Sequence, residues 1–273
     1  TINGKVAIQN SQDNLTGTIT VNTFENKGQV NGQIYMGIWG NNSGTLNIDK
    51  FENSGTITAS NNDKGIFFEG KNTNIETFNN SGTITSNSIA IDVANNSNIN
   101  SFTNSGFISA GKGVNIGQGT MTNFTNANSG TIQGSEAGVL VNTKIDTFTN
   151  KGLIDSIGQS IEWSNGVWVS GNTDIKTFVN DGIIQGVSGA IRSSGGTIEN
   201  FINNGTMNGG SAAILIQNSI IKTLENKGTI NSTSDIDWGG AIKLGQGGTI
   251  ENIINTGTIN SATSAIYVSY GKF

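Results

Sequence analysis

A single ten-residue phrase, apolar-x-x-apolar-x-Asn-x-Gly-x-apolar, recurs along the whole chain. A chain that repeats itself in this way is confined to folds made by stacking near-identical units. Clear copies are Ile48-Asp49-Lys50-Phe51-Glu52-Asn53-Ser54-Gly55-Thr56-Ile57 and the segment from Ile75 to Ile84. The asparagine column reads Asn26, Asn53, Asn80, Asn104, Asn126, Asn150, Asn180, Asn203, Asn226 and Asn255. The glycine column reads Gly28, Gly55, Gly82, Gly106, Gly130, Gly152, Gly182, Gly205, Gly228 and Gly257, with Ala127 and Asn128 as extra residues in the fifth copy. Two residues before each asparagine stands Phe24, Phe51, Phe78, Phe102, Phe124, Phe148, Phe178 or Phe201, relaxing to Leu224 and Ile253.

Successive glycines are 22 to 30 residues apart, and the variation falls in polar stretches around a second phrase, small-apolar-x-apolar. Ala90-Ile91-Asp92-Val93 and Gly138-Val139-Leu140-Val141 are examples. Such short alternation with β-branched residues describes a strand with one buried face. Each copy therefore supplies about three short strands and three corners, and the expected fold is all-β: a right-handed parallel β-helix of about ten rungs, with residues 1–273 as one solenoid segment. Stacked about 4.8 Å apart, identical residues lie above one another. Each asparagine amide can then donate to one neighbour and accept from the other, as in cross-β ladders. The same corner is expected to use the left-handed backbone region that Asn and Gly tolerate, or a close approach that only Gly permits. The Phe and Ile columns fill the interior, and no single copy can stand alone. A leucine-rich repeat is the structural competitor, but the order of its motif is not found here and no copy has a helical-period stretch.

Composition narrows function by exclusion. The chain has no histidine, no cysteine and no proline, 39 glycines and a net charge of −5. Without histidine or cysteine, Ser-His-Asp and Cys-His arrangements cannot be assembled, and the commonest metal ligands are missing. With 12% charged residues and an acidic balance, no basic stripe is offered to nucleic acid. No catalytic residue, cofactor or metal is expected. Two acidic loops are retained as candidate sites: Glu162 with Trp163 in the longest insertion, and Asp235, Asp237 and Trp238 in a second enlarged loop. They are where a carbohydrate-active β-helix enzyme would place its carboxylates, the alternative being solvated surface. Gly245-Gln246-Gly247-Gly248 lacks the lysine and following helix of a phosphate loop and reads as a corner.

Two outward columns bear on binding. The second strand is expected to present Trp39, Phe67, Asp92, Asn115, Leu140, Trp168, Arg192, Leu215, Lys243 and Tyr267. Its large apolar members, Trp39, Phe67, Leu140, Trp168, Leu215 and Tyr267, form a candidate partner-binding stripe, unless an adjacent loop such as the Trp163 insertion folds over part of it. The other column, Thr56, Thr83, Thr131, Thr206, Thr229 and Thr258, raises an ice-binding alternative, but Gln29, Phe107, Leu153 and Ile183 interrupt it.

The phrases Phe51-Glu52-Asn53-Ser54-Gly55-Thr56-Ile57 and Leu224-Glu225-Asn226-Lys227-Gly228-Thr229-Ile230 resemble passenger domains of bacterial type V autotransporters, closest to the Asn-rich passengers related to the vacuolating cytotoxin. The resemblance runs from about Val21 to Val268. It implies export across an outer membrane and display at the bacterial cell surface or release from it, as an adhesin or rigid stalk, or as a toxin-like oligomerising module. The implied partners are a host-cell or bacterial surface protein or glycan, with self-association as a further possibility. Contact with a membrane is expected only through a C-terminal β-barrel outside these residues. A signal peptide and a protease triad are not found, so the segment is expected to be part of a longer protein.

Overall fold

A computed structural model of the chain describes residues 1–10, 16–38, 43–160, 162–235 and 239–272. Among them no helix forms, and every pairing between strands is parallel. Ten strands ending in the repeated asparagine make one sheet and define ten rungs: Thr18–Asn26, Thr45–Asn53, Thr73–Asn80, Asn98–Asn104, Thr120–Asn126, Lys144–Asn150, Asp174–Asn180, Thr197–Asn203, Ile220–Asn226 and Thr249–Asn255. We call this the ladder strip. The remaining 20 strands form the other sheet as two strips per rung, a threonine strip such as Thr83–Ser86 and a second strip such as Ile89–Ala94. In rungs 4 and 5 the two strips fuse into Phe107–Ile116 and Thr131–Val141. Ile2–Asn3 and Val6–Asn10 begin a half-rung before the first ladder strand.

The solenoid of about ten turns that the repeat predicts is therefore the fold observed. Its register is the register of the columns. Phe78 pairs with Phe51 and Phe102, and Asn80 with Asn53 and Asn104. Every ladder amide is used, each Nδ2 donating to Oδ1 of the next rung at 2.7 to 2.9 Å from Asn26 through to Asn255. From Asn104 to Asn226 these side chains are fully buried, so an unbroken ladder is the arrangement that leaves none of them unpaired. Beneath it the Phe rings stack at 4.4 to 4.9 Å with 5 to 19° between planes. That separation equals the strand spacing, so backbone register rather than ring preference sets the geometry. Ile columns such as Ile75–Ile99 and Ile84–Ile108, together with the second strip, complete a closed apolar interior.

One expectation about the corner is corrected. None of the ladder asparagines and none of the repeated glycines has positive φ; the left-handed asparagines are Asn61, Asn62, Asn95, Asn96 and Asn218, at other corners. The repeated glycine is required by close approach instead. A Cβ on Gly55, Gly82, Gly106, Gly205 or Gly228 would lie 2.0 to 2.1 Å from the carbonyl oxygen of the glycine one rung before. In the fifth copy Ala127, Asn128 and Ser129 separate the asparagine from the glycine and the close approach changes partner: a Cβ on Gly130 would lie 2.3 Å from Asn126 Oδ1 and 2.4 Å from Asn104 O, while Gly130 N–H donates to Ala127 O and Asn126 Nδ2 still reaches Gly130 O at 3.1 Å.

Candidate functional site

The ladder corner is uniform, whereas the corner between the threonine strip and the second strip is not. There the two strands are separated by two residues in rung 7 and four in rung 8, but by eight in rung 6, between Ser156 and Asn165, and nine in rung 9, between Ser232 and Ile242. The two enlarged acidic loops thus stand on one corner of the solenoid, three rungs apart, with two short turns between them. A groove of about 410 Å³ lies between them, lined by Asp155, Ser156, Gln185, Gly186, Val187, Asn208, Gly209, Gly210 and Thr233. Its floor is bare because the turns pack too closely for side chains. A Cβ on Gly209 would fall 2.1 Å from Ala212 O, and one on Gly210 would fall 2.1 Å from Val187 O.

One wall is a second polar ladder, on the outside. Asp155, Gln185 and Asn208 are successive partners in the threonine strip. Asn231 Nδ2 donates to Asn208 Oδ1 at 3.0 Å and Asn260 Nδ2 to Asn231 Oδ1 at 2.9 Å. Asp155 stands in this row between Gln133 and Gln185, with a carboxylate that no cation pairs with among the described residues. Partial burial raises its pKa above the usual aspartate value, while hydrogen bonds from the Gln185 side chain and the Ser156 backbone pull it back in part.

The rung 6 loop is pinned rather than loose. Ser160 Oγ accepts from the Glu162 and Trp163 N–H groups at 3.4 and 3.2 Å, and Ser164 Oγ donates to Ser135 O at 3.2 Å. Trp163 lies over the second strip, its ring centroid 5.6 Å from that of Trp168 and 4.5 Å from the Arg192 guanidinium. Arg192 Nη1 donates to Glu162 O at 2.7 Å, closing the loop down, and Trp168 Nε1 donates to Ser194 Oγ at 2.8 Å. Burial lowers the Arg192 pKa, opposed by the charge of Glu162. Trp163 nevertheless remains 47% exposed.

The candidate stripe of the second strip is realised in register from Phe67 through Asp92, Asn115, Leu140, Trp168, Arg192, Leu215 and Lys243 to Tyr267. Its first member is corrected: Phe67 pairs with Tyr35, and Trp39 lies outside the described residues. The repeat was misaligned because rung 1 reaches its second strip only three residues after Asn31, without the longer corner of rung 2. The stripe is also less bare than its composition implies. Tyr35 is buried under Lys5, and its hydroxyl donates to Glu69 Oε2 at 3.0 Å. Burial, then the Glu69 charge, raises its pKa. Lys64 sits 3.3 Å over Phe67 and pairs with buried Asp92 at 2.5 Å, while Asn115 Nδ2 donates to the other Asp92 oxygen at 2.6 Å. Lys243 lies 5.8 Å over Tyr267, and burial lowers its pKa. Leu140 and Leu215 are half-buried.

Of the other sequence candidates, Glu162 and Asp235 are exposed, and Asp237 and Trp238 lie outside the described residues. Asp235 follows the groove residue Thr233 by two positions. Sequence reasoning treated the two loops separately; that both follow the same phrase, after Ser156 and after Ser232, was the available signal that they share a corner. It missed Asp155 and the groove, since an outward Asp-Gln-Asn column looks like ordinary surface.

Two further features single this corner out. Away from the first and last rungs, the exposed large apolar side chains among the described residues are Phe107, Ile157, Trp163, Ile183, Val187 and Ile220, and four of these six belong to rungs 6 and 7. Three of the four buried side-chain polar atoms without a hydrogen-bond partner among the described residues, Ser156 Oγ, Asn165 Oδ1 and Arg192 Nε, lie in the same two rungs. By contrast, a groove of about 390 Å³ on the ladder strip is lined by amides that bond one another, Asn98 to Asn74 and Asn74 to Asn47, both at 3.0 Å. Comparison with protein-family models, with curated proteins and with solved structures finds no match to the chain, so the reading of function rests on sequence pattern and geometry.

Proposed function

We propose that this chain is a passenger segment of a bacterial autotransporter, surface-displayed or released, that acts without catalysis as a rigid stalk carrying an adhesive contact surface on rungs 6 to 9. The observation that carries the reading is the division of the molecule. The asparagine column runs through all ten rungs and the phenylalanine column through the first eight, while the two longest loops and most of the exposed apolar side chains and unpaired polar atoms of the inner rungs fall in rungs 6 to 9. A rod of this kind presents an irregular surface at a fixed height, which suits a display module. A pinned rung 6 loop with a half-exposed tryptophan suits contact with a protein or glycan better than turnover.

Against a carbohydrate-active enzyme stands the spacing of the acidic loops. Three rungs at about 4.8 Å set the bases of the loops bearing Glu162 and Asp235 about 14 Å apart, against the roughly 5 to 9.5 Å between the carboxyl groups of a glycosidase. The test is adherence of beads coated with the purified chain to mammalian and bacterial cells. Adherence that falls in a Trp163→Ser, Val187→Lys double variant of unchanged melting temperature supports the reading. Release of new reducing ends or unsaturated products from a polysaccharide panel, abolished by Glu162→Gln or Asp235→Asn, overturns it.

A further inference from the structure

The groove between the two loops is specific enough in charge and shape to name the chemistry of its occupant. In rung 6 the outward row reads Leu153, Asp155, Ile157, and in rung 7 it reads Ile183, Gln185, Val187, with Leu153 paired to Ile183 and Asp155 to Gln185. Ile157, Ile183 and Val187 are 53%, 43% and 38% exposed. The surface is therefore apolar on both flanks and polar along the middle, with a period of two residues. An extended peptide laid along these strands presents every second side chain to one face at the same period. Its complement reads apolar-x-polar-x-apolar.

Charge decides what the central residue is. Asp155 is partly buried, and no lysine or arginine pairs with it among the described residues, although seven ion pairs are formed elsewhere. Exposed Glu162 and Asp235 stand in the two bordering loops, and the chain carries a net charge of −5. Arg192, the cation that holds the rung 6 loop, is committed to Trp163 and the Glu162 carbonyl. From Asp155 the groove runs on over the bare floor of Gly186, Gly209 and Gly210, room for a long side chain, beside the amides of Gln185 and Asn208.

We infer that this groove binds an extended polypeptide segment of a partner protein that presents one arginine between two aliphatic residues, the guanidinium meeting Asp155 and the aliphatic side chains packing on Leu153–Ile183 and Ile157–Val187. A planar guanidinium matches a carboxylate with two parallel hydrogen bonds, and partial burial of Asp155 strengthens the pair. The inference rests on the reading of rungs 6 to 9 as a contact surface and names its partner.

The experiment is a calorimetric titration of the full chain with the acetylated, amidated peptide Val-Ser-Arg-Ser-Val and its citrulline counterpart, which keeps the shape of arginine and removes the charge. The arginine peptide is expected to saturate the protein, with the citrulline peptide at least about tenfold weaker. Asp155→Asn should bring the arginine peptide to the level of the citrulline one and leave the latter unchanged. Val187→Lys should weaken both peptides, since each packs an aliphatic residue there, melting temperatures showing that both variants fold. Equal affinity for the two peptides, insensitivity to Asp155→Asn, or no saturation below about 10 mM would overturn the inference. So would neutral cellotriose displacing the arginine peptide, which assigns the groove to glycans. Failure of coated beads to adhere to cells would sink the adhesive reading alone, since the titration uses no cells.

Discussion

The ladder strip and the loop-bearing corner of rungs 6 to 9 belong to the same turns of the same solenoid, yet they answer to different constraints. On the ladder strip each position meets its own kind one rung away, and a residue that departs from the column damages two contacts at once. Asn150 shows this: it accepts from Asn126, donates to Asn180 at 2.9 Å, and also reaches Gly152 O and Ile183 O at 3.2 and 3.1 Å. On the corner, connections of eight and nine residues in rungs 6 and 9 bracket connections of two and four residues in rungs 7 and 8, and no column is shared. The difference teaches that periodic identity supplies stability, and that its local loss is where a surface can be shaped without loss of the rod.

The sharpest way to break the comparison is to put a charge into the ladder. Asn150→Asp replaces a donor by a carboxylate aimed at the Asn180 oxygen in a fully buried position. It should lose about 3–5 kcal/mol at neutral pH in urea unfolding, with hydrogen exchange rising first in rungs 5 to 7. A loss no larger than at an exposed asparagine such as Asn100 would show that the ladder does not carry the fold. Next comes Gly182→Ala, whose Cβ would meet Gly152 O at 2.2 Å; about 1–3 kcal/mol should be lost, although φ is not positive there. Phe148→Leu should cost less, about 1–2 kcal/mol by thermal unfolding, because the column already accepts Leu224 and Ile253.

The smallest effect is expected on the other side of the comparison. Asp155→Asn should change stability by no more than about 0.5 kcal/mol at neutral pH, and in the stabilising direction. Burial raises the folded-state pKa of Asp155 above the ordinary 3.8. The wild-type protein is thus favoured below the ordinary value and loses that advantage as pH rises through the raised one. Melting temperatures should therefore agree more closely at about pH 3 than at about pH 7, where the variant is equal or higher. A lower melting temperature for the variant at neutral pH would mean that Asp155 holds the fold, and the corner would no longer differ in kind from the ladder.

Much of the molecule was legible before any coordinates. The Asn, Phe and Ile columns gave the solenoid, its number of rungs and the pairing of nearly every strand, because a parallel stack places residues of equal phase side by side. The acidic loops were also visible, as breaks in the period. Other features were beyond the pattern. Whether the repeated glycine served a left-handed turn or a close approach depended on where the previous rung's carbonyl lies, and that is a contact between residues more than 20 positions apart. The cations over Tyr35 and Phe67, Lys5 and Lys64, come from outside the column, and the one over Tyr267 is its own neighbour Lys243, so an outward apolar stripe in the sequence became a partly covered one in space.

What the sequence by itself determined is the rod: identical side chains repeated at near-constant separation have one economical arrangement, each above the next. What only the tertiary structure decided is the groove. Asp155, Gln185 and Asn208 are each unremarkable alone, and the loops of rungs 6 and 9 are some 70 residues apart, from 164 to 233. They meet because stacking turns sequence distance into a few rungs of height, and because turns built on Gly186, Gly209 and Gly210 are too tight to carry side chains that would fill the space between them.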